Sequence, residues 1–426
     1  MRQIDRGVAW ALASGCSLSI GLFRTVVGLM AMRHLALFAR DWSISGFYAD
    51  TFHLPYAAWI PQPGAGVYAS ILALGIVSGG FLAIGCCTRA AALTCFLTVT
   101  YHLSLNEVWY RHNRYFLVLL LLLVWLSPCE TALTRETLSS GRAPRGPRWT
   151  RLLIQVQMTL IYLASATSKS LDAAWRGGYV LEGRSVGDIW SSMMPGFIVK
   201  LIPPDAGVRL LTAKALVMEF SIGTLLWFPR TRRLAIWIGI IFHGFIELQF
   251  DVLTYSYLTL ATYFVFADPE PGRKTLVLPE TGRVTRLVEV VLPLLDWMFQ
   301  VRLAKHARAE TVFVGSDGTA HRGLAAWIQL GANLPLTYPP CYPLSWIAGR
   351  GRGDPPDDTR PVESGRAPWA ALAVWLAGYL MFSAAANVHP ILRLAHDTLR
   401  FADLPWFFAL MCLIAAVHHR QLVKSD

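Results

Sequence analysis

Lys169 stands at the end of the apolar run IQVQMTLIYLASATSK. A lysine at the rim of a hydrocarbon-depth helix is costly to bury, so it either snorkels its ammonium to water or is kept for chemistry. A desolvated lysine can present a neutral amine and act as a base. Other ionisable residues interrupt apolar runs as well: Arg24 in GLFRTVVGL, Glu219 in ALVMEFSIG, and His243 with Glu247 in IFHGFIELQF. Each costs about 3 kcal/mol at a bilayer centre on insertion scales, so such groups face the bundle interior and find partners. An ion pair of Arg24 with Glu219 or Glu247 is the expected outcome. His243 and Glu247 are four residues apart, on one face of a helix. That spacing could seat two metal ligands, but the local sequence offers no third. A histidine–carboxylate hydrogen bond is expected instead, and no metal site. Arg111, His112, Asn113 and Arg114 form a polar cluster ahead of another apolar run, which composition alone reads as a wet interfacial loop.

The elements that must position these residues are those of a membrane protein. The 426 residues are 54% hydrophobic and only 15% charged, with 16 Trp. Soluble domains carry about 25% charge. The net charge of +11 need not imply nucleic acid, because basic residues collect in cytoplasmic loops and near anionic lipid; no nucleic-acid partner is expected. Of seven cysteines, only Cys86 and Cys87 are close in sequence, and none forms a CxxC or metal-ligand spacing. They read as small buried apolar residues. The start, MRQIDRGVAWALASG, has a basic segment without a clear cleavage site, so residues 1–17 are expected to stay as a cytoplasmic or interfacial segment.

A span needs roughly 20 apolar residues. On that test, helices are expected near 18–38, 66–86, 89–105, 113–131, 151–169, 210–229, 233–250, 252–268, 368–387 and 402–419. The fold class is therefore an all-α polytopic membrane bundle, about eight core helices over 18–268 plus a C-terminal pair within 367–426. Arg89, Arg135, Arg142, Arg145, Arg148, Arg151, Arg230, Arg232, Arg233, Arg420 and Lys424 fall on one side if both termini are cytoplasmic, although Arg176, Arg184 and Lys200 fall on the other. The positive-inside bias thus favours N-in and C-in, in what is expected to be a bacterial inner membrane.

Residues 269–348 differ in composition. Strand-like 275–279, a helical stretch 283–302, strand-like 310–318 and a second helix 323–334 give a β-α-β-α order, followed by Pro- and Gly-rich turns and a flexible linker at 349–366. A small α/β module facing the cytoplasm is expected, since a loop of that length without its own fold would be unusual.

Several separated segments, taken in order, carry a family resemblance. LFRTVVGL resembles a leading "FR…G" helix, and IGCCTRAAALTCF a glycine-to-arginine turn between the second and third helices. RHNRYFLVLLLLL resembles the polar entry to a fourth. QVQMTLIYLASATSKSLDAAWRGGYVL resembles a "Q…Y…K…W…G" stretch, and FHGFIELQFDVLTYSYLTLATYFVFADPE an "FH…F…P" ending. Over about residues 15–270 the chain resembles the horizontally transferred transmembrane family, whose best-known member is the vitamin K-dependent γ-glutamyl carboxylase. Counted from Tyr162, the resemblance puts Lys169 on the lysine that serves the carboxylase as catalytic base toward reduced quinone; counted back from Trp175, there is one extra residue. It puts Asn113, beside His112, where the carboxylase has a supporting histidine, Glu219 on an acidic position and His243 on the family's histidine. The carboxylase's propeptide-binding β-rich region has no counterpart, so carboxylation of a clotting-factor-like substrate is not expected. VLPETGRVTRLVEVVLPLLDW with GSDGTAHRGLAAWIQLGANLPL is similar to thioredoxin-like "DCC" modules fused to this core. Gly282 and Thr285 replace their cysteine pair, which implies a redox-inactive copy.

Two functions follow as expectations. One is a membrane enzyme using Lys169, with His243 and Glu219, as catalytic residues on a lipid-soluble or quinone-like substrate, in a pocket shaped by Arg24, His112, Asn113, Tyr162, Trp175 and Glu247. The other is a non-catalytic membrane protein that handles or matures a partner peptide, its charges only holding the bundle together. No internal repeat or pair of Gly/Pro-broken helices points to a transporter.

Overall fold

The structure, a computed structural model, describes residues 8–45, 54–128, 145–184, 190, 196–250, 254–266, 274–296, 300–307, 310–335, 337–348 and 360–361. The expected helices at 368–387 and 402–419, residues 1–7 and most of the linker lie outside the described residues. The chain divides into two units, residues 1–134 with 146–266, and residues 135–145 with 267–426.

Helices α1 (Leu18–Ser45), α2 (Ala65–Ile84) and α3 (Thr88–Ser104) open the first unit, followed by a 3₁₀ turn at Glu107–Trp109 and α4 (His112–Leu126). Helix α2 has no charged residue in its 20 positions. It ends where Gly85 turns left-handed at φ 76, and the amides of Gly85 and Cys86 cap the carbonyls of Leu82 and Phe81. That turn exposes Cys86 and Cys87, correcting the expectation that both are buried; Cys95, one helix further on, is buried as expected. Helices α1 and α2 cross in backbone contact. A Cβ built on Gly28 would lie 2.7 Å from the Ala83 amide, and one on Gly79 would lie 2.9 Å from the Gly28 carbonyl. Small residues at such a crossing let the backbones approach, as in membrane helix pairs.

After short strands β1 (Ser14–Cys16) and β2 (Arg145–Pro147), α5 (Arg148–Leu171) carries Tyr162, Ser165 and Lys169 on one stripe. Asp172 ends it by accepting the Ala174 amide at 2.8 Å and starting α6 (Ala173–Gly177). Short helices α7 (Tyr179–Arg184) and α8 (Gly196–Leu201) gather around buried Trp190, whose indole donates to the Ile202 carbonyl at 3.1 Å. Helix α9 (Pro204–Leu225) starts six residues before the expected boundary, because Pro204 holds a helical φ at N1, where no amide partner is needed. Helices α10 (Arg232–Phe250) and α11 (Tyr255–Phe264) follow. Helix α9 packs on α5 and α10, and α11 packs on α1, α4, α5 and α10.

Among the described residues, two helices are long and apolar enough to cross a membrane, over Ser19–Arg40 and Ala65–Ile84. The site helices α5, α9 and α10 are as long, but Lys169, Lys214, Glu219 and Glu247 lower their apolarity.

The second unit holds strands β3 (Thr275–Pro279), β4 (Arg302–His306), β5 (Val312–Val314), β6 (Ala320–Arg322) and β7 (Arg360–Pro361) in the order β6-β5-β3-β4-β7. Strand β3 is parallel to β4, with Leu276 opposite Leu303, and the other pairings are antiparallel. Helix α12 (Arg283–Leu295) makes the β3–β4 crossover, and α13 (Leu324–Gly331) and α14 (Tyr338–Ile347) follow β6. Leu276, Leu278 and Phe313 pack on one face of the sheet with Leu292 and Leu330, while Val277, Val312 and Ala320 take the other. The expected helix 283–302 is corrected to a helix and a strand. Buried Asp296 accepts the amides of Gln300 and Val301 at 2.9 and 2.8 Å and turns the chain into β4. The expected strand 310–318 is instead a strand entering a hairpin turn closed by Gly318 at φ 77. Helix α14 stands where only turns were expected, because its first prolines fall in the opening turn, where missing amides cost nothing.

Candidate functional site

Three helices and one chain reversal build the site. Lys169 Nζ of α5 lies 2.6 Å from Glu219 Oε1 of α9, and Ser165 Oγ donates to the same oxygen at 3.2 Å. The Asp172 cap returns the chain so that Lys169 Nζ sits 4.9 Å from the centre of the Trp175 ring, a cation–π contact. The extra residue counted before Trp175 therefore does not separate the two side chains. Glu219 Oε2 is buried and has no hydrogen-bond partner among the described residues. The carboxylate thus offers one oxygen to the protein and leaves the other for something else, since buried acceptors are rarely left unmet.

A second polar chain runs behind this pair. The Tyr162 hydroxyl lies 2.6 Å from His243 Nε2 and forms a short hydrogen bond with the Tyr263 hydroxyl. His243 is fully buried, and its Nδ1 has no partner among the described residues. Nε2 of the imidazole meets a phenol from α5, whereas the expected His243–Glu247 hydrogen bond involves a side chain outside the described residues. Room for the Tyr263 hydroxyl comes from Gly239, where a Cβ would lie 2.2 Å from that oxygen.

Of the two partners expected for Arg24, Glu219 is taken by Lys169, and the side chain of the other, Glu247, lies outside the described residues. Arg24 is fully buried on α1 and does not line the cavity described next.

A cavity of about 860 Å³ opens in front of the Lys169–Glu219 pair. His112, Asn113, Lys169, Trp175 and Glu219 line it, while Tyr162 and His243 stand behind its wall, the His243 ring 5.5 Å from the lining Tyr255 ring. His112 Nδ1 lies 3.3 Å from the Tyr110 hydroxyl, and Asn113 Oδ1 accepts the Arg114 amide at 2.9 Å. The rest of the wall is largely apolar, with Phe116, Phe242 and Phe245 prominent. Sequence reading missed Ser165, Tyr255, Tyr263 and Lys214. Tyr255 and Tyr263 look like core aromatics in YSYLTLATYF, and only the fold shows their hydroxyls and rings at the site. Lys214, five residues before Glu219 in α9, carried the same signal as Lys169, a lysine within an apolar helix.

The fold and site define a mostly helical domain around a largely apolar cavity, with an acid–lysine pair in its wall. The family model of the HTTM domain matches residues 16–270, and the chain belongs to the HTTM domain family. No solved structure matches the chain.

Proposed function

We propose that this protein is a multi-pass membrane enzyme whose cavity admits a lipid-soluble substrate and whose Lys169–Glu219 pair moves a proton. The observation that carries the reading is the Lys169–Glu219 contact at the wall of an apolar cavity, with Glu219 Oε2 buried and unpartnered beside it. Passing the ammonium proton from Lys169 Nζ to Glu219 Oε1 leaves a neutral amine that can take a proton from a bound acidic group, in the manner of a general base. Ser165 and Trp175 hold the two partners in place. His243, Tyr162 and Tyr263 stiffen α5 against α10 and α11 behind the pair. A reduced quinone fits this donor set: the wall is aromatic and aliphatic, and Oε2 can accept a ring hydroxyl. Such a group supplies an acidic O–H when bound. We further infer that both termini are cytoplasmic, that the membrane is a bacterial inner membrane, and that the second unit is a thioredoxin-like module without thiol chemistry. In support, Gly282 and Thr285 stand at the start of α12, and Thr285 Oγ1 is tied to the Pro279 carbonyl at 3.1 Å.

The decisive comparison is Lys169→Ala with Lys169→Arg, scored by mass spectrometry of lipid extracts from cells carrying each variant, the intact gene or none. Arginine keeps the charge but does not deprotonate. The base reading predicts that both variants lose the product that the intact gene yields. Full activity in Lys169→Arg would overturn it in favour of a purely structural charge.

A further inference from the structure

Charge is distributed unevenly in the cavity. Lys169 is matched by Glu219, but Arg111 and Lys214 also line the wall, and neither has an acidic partner among the described residues. Lys214 Nζ instead sits 5.8 Å from the centre of the Phe245 ring. Glu219 is the one acidic residue among the described lining, so after the Lys169 pair is counted the wall keeps two positive charges beside Phe116, Phe242 and Phe245. Lys214 lies in the middle of α9, where an unmatched cation in an apolar run is expensive and is normally paired or faces a polar pathway, whereas Arg111 stands at the N-terminal cap of α4; both residues are exposed. Neutralisation by a ligand would remove that cost, and the apolar walls require the same ligand to carry hydrocarbon.

We propose that the cavity binds an amphipathic anion, with its acidic head between Arg111 and Lys214 and its apolar body against the Phe116, Phe242 and Phe245 wall. The assignment rests on the reading of this cavity as the site of a lipid-soluble molecule, and it adds an occupant with an anionic head at Arg111 and Lys214, apart from the group whose proton Lys169 takes. Guanidinium and ammonium both favour carboxylate and phosphate heads, so a fatty-acid-like carboxylate and an acidic phospholipid share the required chemistry.

Binding to the purified full chain in detergent micelles tests this, with oleate, its methyl ester, oleyl alcohol and oleylamine as probes and thermal stabilisation and direct binding as readouts. Oleate should bind at least ten-fold more tightly than the ester, the alcohol or the amine. Lys214→Gln and Arg111→Gln should each weaken oleate binding about ten-fold and leave the ester unchanged. Vesicles of phosphatidylcholine doped with phosphatidic acid or with oleate separate the two sources: protection by only one dopant names the head, and protection by both supports the shared chemistry. Equal binding of oleate and its ester, or no effect of either glutamine variant in a protein that keeps its melting temperature, would sink the proposal. Lys169→Arg keeps failure of the two readings apart. Retained oleate preference with intact turnover overturns the base reading alone, and lost preference for the anion with turnover abolished in that variant overturns the anion proposal alone.

Discussion

Tyr162 gives one hydroxyl to two buried partners, His243 Nε2 and the Tyr263 hydroxyl. Tyr162→Phe leaves both without that partner at nearly unchanged volume. It should destabilise the first unit by about 1–3 kcal/mol, read as a lower melting temperature in detergent; an unchanged melting temperature would show that the chain contributes little. The Lys169–Glu219 pair calls for a double-mutant cycle. Lys169→Met and Glu219→Leu should each cost more alone than together, with a coupling energy of about 1 kcal/mol. Larger values are not expected, because the Lys169 side chain keeps 22% of its exposure and water screens part of the attraction. Additive effects in that cycle would mean that the two side chains do not interact in the folded protein.

At the scale of elements, glycines set how closely the helices approach, and the α10–α11 contact is the sharpest case. Gly239→Ala would drive a methyl into the Tyr263 hydroxyl, so it should cost about 1–3 kcal/mol through overpacking and disturb the Tyr162 chain along with it. The check is that Gly239→Ala and Tyr162→Phe combined cost less than their sum. The β5–β6 hairpin yields a pH prediction. Thr319 donates both its hydroxyl and its amide to Asp317 Oδ1, and these hydrogen bonds hold the Asp317 carboxyl below its usual range. A depressed carboxylate contributes stability that is present above its unfolded value of about 3.9 and is lost as pH falls through the lower folded value. Protection of the 311–323 peptide, taken as its exchange rate relative to the intrinsic rate at each pH, should therefore fall at acid pH in the native chain, and Asp317→Ala should remove that acid-dependent step. Asp296 shows why the β4 strand escaped sequence reading. Its carboxylate turns the chain by catching two amides four and five residues on, a contact that no periodicity reveals.

At the scale of the whole molecule, the inferred orientation places the α2–α3 turn on the cytoplasmic side, and that turn exposes Cys86 and Cys87. A membrane-impermeant maleimide should label these two cysteines in inside-out vesicles and not in spheroplasts; labelling in spheroplasts would reverse the topology. Much of the helical core was legible in the chain, because long uncharged runs such as Ala65–Ile84 form helices wherever water is scarce. Interrupting charges were legible for the same reason, since an ionisable residue in such a run stands out by its cost. Lys169, Glu219 and Tyr162 could be singled out, and the ordered motifs over 15–270 agree with the HTTM match over 16–270. Which partner each charge takes could not be read, because helix packing chooses among residues dozens of positions apart. Sequence alone allowed Arg24 to pair with Glu219 or Glu247, and His243 with Glu247, whose side chain lies outside the described residues. The tertiary structure gives Glu219 to Lys169 and sets His243 against Tyr162, because α5 packs on α9 and α11 and its one stripe of side chains reaches Glu219 and, across the core, His243. The sequence by itself determined which residues are too costly to leave unmatched, and only the packing of the helices decided what matches them.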